Sequence, residues 1–363
     1  MNSLSGKIQQ RQSENNLRAL QIVPQNFIDF QSNDYLGFSR NQDIHKIWIE
    51  MNTDFCNNGS TGSRLISGNS YYYQHLENYL ANFYQSEKAL IFPSGFMANL
   101  AVFSTIPQKN EVVLYDEFSH ASIREGLRLS FADSFSFKHN DYDSLEKRLN
   151  QFSEKTIYVV IEGLYSMDGD CPNHHKINEL QQKFNFYLII DEAHSTGILG
   201  KQGKGWFEDF KGNSTIRIHT FGKAFGVHGA VVVCNELIYN FIINFSKPFI
   251  YSTSMSFAEL SKIEIVHQYF EKNGIKYREA LFQRIKYCNE IFKLNSTKFS
   301  PIITFFSKDS EKISLKLESE KVALKLIKSP TVPKGKERFR ITIHSYNTEN
   351  EIDKLYKVLH YES

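Results

Sequence analysis

The sequence has little cysteine and no long uninterrupted hydrophobic run. Its 363 residues include four cysteines, which are too few and too scattered for a disulfide framework or a zinc site built on Cys-x-x-Cys pairs. The most apolar stretch, residues 89–106, is interrupted at Pro93 and Asn99, whereas a membrane-spanning helix needs about 20 mostly apolar residues. The first residues also lack the apolar core of a signal peptide. We therefore expect a protein of the reducing cytoplasm that is not inserted in a membrane.

An excess of charge of one sign is also missing. Lysine and arginine total 42 and aspartate and glutamate total 40, which gives a net charge of +2. A dedicated DNA-binding protein usually carries a strong basic excess, so nothing in the overall charge indicates a nucleic acid as the partner. The hydrophobic fraction is 41% and the charged fraction is 23%, which is typical of a globular protein and excludes an intrinsically disordered chain.

Short apolar runs alternate with helical patterns between about residues 88 and 235. The runs are rich in β-branched residues and predict buried strands at 88–92, 111–115, 157–162, 186–191, 216–221 and 229–234. Between most of them lie segments with helical spacing, such as the one containing Ile177, Leu180 and Phe184. This alternation predicts an α/β fold with a mostly parallel central sheet.

The two ends of the chain differ in texture from the middle. The first residues are polar and predict an N-terminal helical arm. After about residue 262, lysine and glutamate become more frequent, and strand candidates at 300–306 and 337–343 are separated by helical stretches. The predicted organisation is therefore an arm over 1–36, a large α/β domain over 37–262 and a small C-terminal α+β domain over 263–363.

Two residues at the ends of predicted strands have the chemistry of a cofactor site, because ligands of open α/β sheets bind at the carboxyl ends of the strands. Lys223 lies between Gly222 and Gly226, and a lysine in a protected crevice can form a Schiff base because burial lowers its pKa. Asp191 ends an apolar run, where a carboxylate needs a cationic partner such as the protonated ring nitrogen of pyridoxal phosphate. Each residue alone also fits a solvated loop lysine or a turn-capping aspartate.

Histidines and a helix start add to this pattern. His194 and His120 follow two different strands, and one imidazole could hydrogen-bond a phenolate oxygen while the other stacks on a planar ring. The Ser-Gly-Phe run at 94–96 opens a helix after a strand, a position that suits a phosphate but is also a common turn. The adjacent His174 and His175 are interpreted as a helix start, because no second ligand cluster has the spacing of a metal site.

Two rival interpretations come from short motifs. The sequence DEAH at 191–194 also marks a magnesium-binding strand end in a helicase family, which in addition needs Gly-x-x-x-x-Gly-Lys-Ser/Thr. Neither Gly-Lys pair fits, since Ala224 follows one and Gly205 follows the other. The glycines at 197–205 do not match the dinucleotide pattern Gly-x-Gly-x-x-Gly. An ATP-driven nucleic-acid enzyme or a non-catalytic binder remains the alternative from another class.

A series of motifs follows in order along almost the whole chain. They are SNDYLGFS (32–39), NGSTGSRLISGN (58–69), FPSGFMANLAV (92–102), DEFSHASIREG (116–126), IEGLYSMDGD (161–170), DEAHSTGILGKQGKG (191–205), TFGKAFGVHGAVV (220–232), IYSTSM (250–255) and SPTVPKGKERFRIT (329–342). Together they resemble the α-oxoamine synthases, pyridoxal-phosphate enzymes that condense an amino acid with an acyl-CoA and release CO2. Within that family the chain is most similar to the branch that makes 8-amino-7-oxononanoate from L-alanine and a pimeloyl thioester in biotin synthesis.

The resemblance implies a fold-type-I transferase with pyridoxal 5'-phosphate as its cofactor. Lys223 would hold the cofactor covalently and move protons at the substrate α-carbon, Asp191 would pair with the pyridine nitrogen, and His120 would stack on the ring. His194 and Ser166 would hydrogen-bond the phenolate oxygen. Further cofactor contacts would come from Ser94, Gly95, Phe96 and Thr220, and from Thr253 of the neighbouring subunit in a homodimer.

The resemblance also implies a set of substrate contacts. These would come from Arg18, Asn33, His120, Lys328 and Thr331, and Glu162 would line the pocket together with Asn33. Lys328 stands where the oxononanoate synthases typically carry an arginine that binds the amino-acid carboxylate, and lysine offers a point charge in place of a flat two-pronged donor. The amino acid is therefore open, and a sibling enzyme using glycine or serine with another acyl-CoA is the alternative. The acyl carrier is either CoA or an acyl carrier protein.

Overall fold

The computed structural model describes residues 3–52, 58–210, 212, 214–294 and 299–361. The chain forms two compact units. The small unit comprises Met1–Ser32, Met167–Gly169 and Leu281–Ser363, and the large unit comprises Asn33–Ser166 and Asp170–Ala280. Among the cysteines, Cys171, Cys234 and Cys288 are free thiols, and Cys56 lies outside the described residues.

The helices and strands are numbered in chain order. The strands β1 to β12 are Ile28–Asp29, Lys88–Phe92, Val112–Asp116, Asp133–Phe137, Ile157–Glu162, Tyr187–Asp191, Thr215–Thr220, Ala230–Cys234, Ile302–Phe305, Val322–Ala323, Leu326–Ile327 and Arg338–Thr342. The helices α1 to α12 are Ser3–Ser13, Gln42–Met51, Tyr71–Phe83, Gly95–Thr105, Ala121–Arg128, Tyr142–Gln151, His174–Lys183, Glu236–Phe245, Lys247–Ile250, Phe257–Ile291, Ser310–Ser319 and Glu349–Leu359. A short 3-10 helix covers Phe38–Arg40. None of the helices in these described ranges combines the length and apolar character that a membrane span requires.

The large unit is built on a seven-stranded sheet in the order β2-β8-β7-β6-β5-β3-β4. Its strands are parallel except for β8, which runs antiparallel to both neighbours. All six strands predicted between residues 88 and 235 are present, with ends that differ by at most one residue from those expected. The predicted α/β fold with a mostly parallel sheet is confirmed.

Apolar clusters cover both faces of this sheet. Every residue of β5 is buried, and successive residues point to opposite faces of a strand. Val160 belongs to one cluster with Ile189, whereas the preceding Val159 belongs to the other cluster with Leu188. Because both faces are covered, the strands are apolar at nearly every position, and this made them recognisable in the sequence.

Strand β4 was not predicted from the sequence. It covers Asp133–Phe137 and pairs with β3 at the edge of the sheet, and within it only Phe137 is buried. An edge strand with exposed polar side chains lacks the apolar run that marks a central strand. Its sequence, DSFSF, therefore gave no strand signal.

The small unit contains a three-stranded antiparallel sheet in the order β11-β12-β9, and β1 pairs with β10 in parallel. The strands expected at 300–306 and 337–343 are present as β9 and β12. The predicted helical arm is wrong in extent, because α1 ends at Ser13. Asn15 adopts a left-handed conformation, and the Asn16 N–H donates to the Arg11 carbonyl oxygen at 2.8 Å, which closes the helix end.

The predicted domain boundaries differ from the division into units. The units divide the chain after Ser32 and Ala280, whereas the sequence predicted boundaries after residues 36 and 262. Helix α10, Phe257–Ile291, is continuous through residue 262, so a change in composition there does not mark a break in secondary structure.

Candidate active site

Polar side chains gather at the carboxyl ends of the parallel strands in the large unit. Asp191 is the last residue of β6 and lies in register with Glu162, the last residue of β5. Thr220 is the last residue of β7, which also runs parallel to β6. Asp191 is 5% exposed and Glu162 is 3% exposed, so both carboxylates are largely removed from water. The structure thus brings together strand-end residues that are far apart in the chain.

The carboxylate of Asp191 is held by two hydrogen bonds. Asn99 Nδ2 donates to Asp191 Oδ2 at 2.7 Å, and the backbone N–H of Ala193 donates to Asp191 Oδ1 at 2.9 Å. A buried carboxylate needs such partners, because desolvation without them is costly. The two bonds fix the plane of the carboxylate at the strand end.

Asn99 is a site residue that the sequence analysis missed. It lies on α4, is 2% exposed, and also donates to Ser122 Oγ at 2.9 Å. Ser122 Oγ is in turn 2.7 Å from His120 Nδ1. The sequence signal for Asn99 was that it is the single amide among the mostly apolar residues of α4. Its partners on β6 and α5 could not be inferred from spacing.

His120 is fixed at the start of helix α5. It is the N-cap residue, and its Nδ1 accepts the backbone N–H of Ser122 at 3.2 Å. Partial burial lowers the pKa of His120, the positive charges of Lys223 and Arg124 add to this, and Asp191 opposes it. The ring is therefore biased towards its neutral form.

Glu162 and Lys223 complete the charged cluster around His120. Glu162 Oε1 accepts the backbone N–H of His120 at 2.6 Å. Burial raises the pKa of Glu162 well above its usual range, and the neighbouring Asp191 raises it further, while the His120 N–H and Lys223 act in the opposite direction. Lys223 is half-buried, and its charge acts on both His120 and Glu162.

A tight turn positions Lys223. The backbone N–H of Gly226 donates to the Lys223 carbonyl oxygen at 3.0 Å, and Gly226 has φ +65°. A Cβ at Gly226 would come within 2.2 Å of the Ser39 backbone nitrogen. Glycine is therefore required here both by the conformation and by the close approach of another backbone segment.

The start of helix α4 forms a cradle with the end of β7. Ser94 is the N-cap residue and its side chain accepts the Met97 N–H at 3.3 Å. A Cβ added to Gly95 would lie 3.2 Å from Thr220 Oγ1, so the space beside that hydroxyl stays open only because the residue is glycine. Phe96 is 48% exposed. A helix N-terminus beside a hydroxyl suits a phosphate group, and these residues fit pyridoxal phosphate in that respect.

Two other predicted residues are joined through a tyrosine. The Tyr35 hydroxyl is 2.7 Å from His194 Nδ1 and donates to Asn33 Oδ1 at 3.2 Å. Tyr35 and His194 are both buried. Ser166 is half-buried in the loop after β5. Tyr35 was not singled out, although it lies within one of the motifs that carry the resemblance.

A histidine between two carboxylates supports the loops around the cluster. His139 Nδ1 is 2.9 Å from Asp116 Oδ1, and His139 Nε2 is 2.8 Å from Asp170 Oδ2. Burial lowers the pKa of His139, but the hydrogen bonds and charges of the two carboxylates outweigh it and raise the pKa to about 10. The Tyr165 N–H donates to the Asp170 carbonyl oxygen at 2.9 Å. The three side chains Asp116, His139 and Asp170 therefore anchor the residue before Ser166. The sequence analysis missed this cluster.

In the glycine-rich segment 197–206, backbone N–H groups donate hydrogen bonds to carboxylates of the chain itself. Buried Glu192 accepts the Trp206 N–H at 2.9 Å, and Glu208 accepts the Lys204 N–H at 3.2 Å. A phosphate-binding loop must instead direct its free N–H groups at the ligand. The arrangement agrees with the rejection of a dinucleotide or helicase loop here.

Thr253 does not lie at the end of a strand of the seven-stranded sheet. It is exposed and forms an isolated antiparallel bridge with Ser63. Next to it, the Ser254 N–H donates to the Gly62 carbonyl oxygen at 3.0 Å. The structure thus brings together the motifs at 58–69 and 250–255, and a contact with a second subunit stays a prediction.

The predicted substrate residues Arg18, Lys328 and Thr331 belong to the small unit. Arg18 Nη2 donates to Thr331 Oγ1 at 3.2 Å, and Lys328 Nζ donates to the Asn15 carbonyl oxygen at 3.2 Å. The segment after α1 is therefore bound to the segment after β11 through side chains of both. The role of these residues in substrate binding stays a prediction.

The chain is similar to one family over most of its length. The family described as Aminotransferase class I and II matches residues 25–359. The 8-amino-7-oxononanoate synthase of Buchnera aphidicola subsp. Baizongia pistaciae is 35% identical over 349 residues, which cover 94% of this chain and 90% of that relative. A protein of Methanococcus vannielii named putative 8-amino-7-oxononanoate synthase is 37% identical over 358 residues, covering 96% and 95% of the two chains.

Solved structures share the fold. The crystal structure of 8-amino-7-oxononanoate synthase from Francisella tularensis has a TM-score of 0.78 at 29% identity and covers 93% of this chain and 97% of its own. A serine palmitoyltransferase variant from S. paucimobilis, solved with a pyridoxal phosphate–myriocin adduct, has a TM-score of 0.87 at 24% identity and covers 99% and 96%. The second likeness bears on the fold alone.

Proposed function

The chain belongs to the class I and II aminotransferases, as one of their pyridoxal-phosphate-dependent α-oxoamine synthases, and we propose that it condenses L-alanine with a pimeloyl thioester to give 8-amino-7-oxononanoate. Family membership confirms the predicted enzyme class, fold type and cofactor. The proposed substrates rest on sequence similarity. The chain is 35% and 37% identical, over more than nine-tenths of its length, to relatives named 8-amino-7-oxononanoate synthase and putative 8-amino-7-oxononanoate synthase.

The geometry of the large unit supports the reaction type. Pyridoxal phosphate, when bound, supplies a ring that delocalises the electron pair left at the substrate α-carbon. In this proposal the Asp191 carboxylate keeps a proton on the ring nitrogen, and the His120 imidazole packs on the ring face. Lys223 supplies the amine that holds the cofactor and moves the proton at the α-carbon. The start of α4, with Thr220 beside Gly95, binds the phosphate.

The remaining large-unit residues orient these groups. We propose that His194 and Ser166 hydrogen-bond the phenolate oxygen of the cofactor. The hydrogen bond between His194 Nδ1 and the Tyr35 hydroxyl, at 2.7 Å, fixes the plane of the imidazole in this proposal. Asn33, bonded to the same hydroxyl, and Glu162, bonded to the His120 N–H, line the pocket in this proposal.

The overall transformation consumes one proton from solvent and needs no oxidant or reductant. The α C–H bond of alanine breaks first, and the α-carbon then bonds to the acyl carbonyl as the carrier leaves and is protonated to its thiol. The carboxylate is then lost as CO2, and a proton takes its place on the α-carbon. We propose CoA as the carrier, with an acyl carrier protein as the alternative. Lys328, Arg18 and Thr331 are proposed to bind the substrates, with Lys328 at the amino-acid carboxylate.

We also propose a homodimer in which Thr253 contacts the cofactor of the partner subunit. Large apolar side chains in the two segments joined by the bridge between Ser63 and Thr253 are open to solvent, with Ile66 at 85% and Tyr251 at 79% exposure. Exposed apolar residues grouped in this way mark an interaction surface. A cytoplasmic location stays a prediction from the cysteine usage.

A sibling enzyme is the second candidate, because the fold is also that of serine palmitoyltransferase. The purified protein is assayed with pyridoxal phosphate and each pair of L-alanine, glycine or L-serine with pimeloyl-CoA or palmitoyl-CoA, and free thiol and product mass are followed. We expect turnover with L-alanine and pimeloyl-CoA at the highest kcat/KM. A preference for serine with palmitoyl-CoA, or for glycine, would contradict the substrate proposal and leave the enzyme class in place.

A further inference from the structure

A chain of hydrogen bonds connects Asp191 with His120 through the interior of the large unit. Asn99 Nδ2 lies 2.7 Å from Asp191 Oδ2 and 2.9 Å from Ser122 Oγ, and Ser122 Oγ lies 2.7 Å from His120 Nδ1. Asp191, Asn99 and Ser122 are all buried. We call Asn99 and Ser122 together the Asn99–Ser122 link.

The donors and acceptors of the Asn99–Ser122 link, together with the backbone N–H of Ser122, favour one arrangement of protons. An ionised Asp191 only accepts, so it faces the NH2 group of Asn99, and the second amide hydrogen goes to Ser122 Oγ. The Ser122 hydroxyl then donates its own hydrogen to His120 Nδ1. The backbone N–H of Ser122 also donates to that nitrogen, at 3.2 Å. His120 Nδ1 therefore carries no proton, and the proton of the neutral ring is on Nε2.

This orientation of the Asn99 amide leaves its oxygen without a hydrogen bond from the part of the chain that the structure describes. Its Oδ1 is buried and has no hydrogen-bond partner among the described residues. Reversing the amide would give Oδ1 the Ser122 hydroxyl but would set it against the Asp191 carboxylate. The repulsion between two acceptors at 2.7 Å fixes the amide.

The charges around His120 also favour the neutral ring. Lys223 and Arg124 are cationic and lower its pKa, as does partial burial, and Asp191 acts in the opposite direction. Glu162 faces the backbone N–H of His120. His120 also caps the N-terminus of α5, where the helix dipole disfavours a positive charge.

We propose that Asn99 and Ser122 are positioning residues that hold His120 as the neutral Nε2–H tautomer and tie its ring to Asp191. The use of this tautomer rests on the proposed function: a neutral imidazole can pack against a protonated pyridine ring without charge repulsion and can still donate one hydrogen bond from Nε2. The tautomer itself does not depend on that function.

The test is histidine NMR on the full chain, with and without pyridoxal phosphate. Protein with 15N-labelled histidine is titrated from pH 5 to pH 9, and His120 is assigned with the variant His120→Gln. We expect a neutral ring with its proton on Nε2 at pH 7.5. In Ser122→Ala the pKa of His120 rises by about half a pH unit or more, the effect of losing about one hydrogen bond, and a fraction with the proton on Nδ1 appears.

Ser119→Ala is the matched control. Ser119 is a buried serine in the same turn, and its Oγ has no hydrogen-bond partner among the described residues. We expect this variant to leave the His120 titration and the kcat for condensation unchanged, whereas Ser122→Ala lowers kcat several-fold and moves the acidic limb of the pH profile upwards.

A doubly protonated His120 at pH 7.5, a proton on Nδ1, or identical titrations in Ser122→Ala and Ser119→Ala would overturn the inference. The proposed function fails separately: a protein with the expected tautomer that condenses no amino acid with any acyl thioester would contradict that proposal alone.

Discussion

His139 shows how one residue can stabilise the loops beside the candidate site. It bridges Asp116 and Asp170, and these two carboxylates together raise its pKa to about 10 against the effect of burial. A protonated imidazole between two carboxylates is bound more tightly in the folded chain than in the unfolded one. Because its pKa is higher in the folded state, the stability it contributes is fully present below about pH 6.5 and is lost as the pH rises towards 10.

We therefore expect His139→Gln to lower the free energy of unfolding by about 2 kcal/mol at pH 6.5, the scale of hydrogen bonds to charged groups. The difference from the unaltered protein should shrink between pH 6.5 and pH 10. Urea unfolding at several pH values measures it, with His175→Gln, an exposed histidine at the start of α7, as the control. A difference that is the same at both ends of this range would contradict the assignment of charge to His139.

A substitution of the single residue Lys328 tests the amino-acid specificity. A lysine gives the carboxylate a point charge, whereas arginine gives two parallel hydrogen bonds. If Lys328 binds the carboxylate, Lys328→Arg should lower the KM for L-alanine by about 5- to 10-fold, the effect of about 1 kcal/mol, with kcat little changed. Steady-state kinetics at saturating pimeloyl-CoA measure it, and an unchanged KM assigns the carboxylate to another group.

At the scale of elements, the turn after β7 sets the position of Lys223. Gly226 has φ +65°, and its Cα faces the Ser39 backbone. We expect Gly226→Ala to destabilise the protein by about 1–3 kcal/mol and to weaken cofactor binding, because the turn must move to admit the methyl group. Thermal unfolding and a cofactor titration measure both effects.

Gly59→Ala is the control for that experiment, since no atom of the residues that the structure describes lies within 4 Å of the added carbon. It should behave as the unaltered protein does. Normal cofactor affinity in Gly226→Ala would show that the close approach to Ser39 does not position Lys223.

The elements also show what the sequence could predict and what it could not. Central strands such as β5 and β6 were predicted because burial on both faces requires an apolar residue at nearly every position. The edge strand β4 and the two-residue strands β1 and β10 carry no such pattern. The long helix α10 was also not recognised as one element.

The residues of the candidate site also differ in how far the sequence could predict them. Asp191, Lys223 and His120 were predicted because each ends an apolar run or lies within five residues after one. Asn99 and Tyr35 were missed because their roles depend on partners that are distant in the chain, as in the bond from Asn99 to Asp191 across 92 residues. The motifs that carry the resemblance contained both residues, but spacing alone did not indicate their partners.

At the scale of the whole molecule, the exposed apolar residues in the two segments joined by the bridge between Ser63 and Thr253 predict self-association. We expect a two-chain mass for the purified protein in sedimentation velocity. Ile66→Asp places a charge where an apolar contact is proposed and should shift the protein towards a single-chain mass, whereas Ile275→Asp, at a side chain that is 71% exposed on α10, should not. A single-chain mass for the unaltered protein at micromolar concentration would contradict the shared site.

The central claim is that Lys223 holds pyridoxal phosphate and that the bound cofactor reacts with L-alanine. The most direct measurement is the absorbance spectrum of the purified protein with pyridoxal phosphate, before and after L-alanine, followed by borohydride reduction and peptide mass analysis. The account predicts a visible band that shifts with alanine and a cofactor mass on the peptide containing Lys223. The absence of a band, or a cofactor mass on another lysine only, would contradict it.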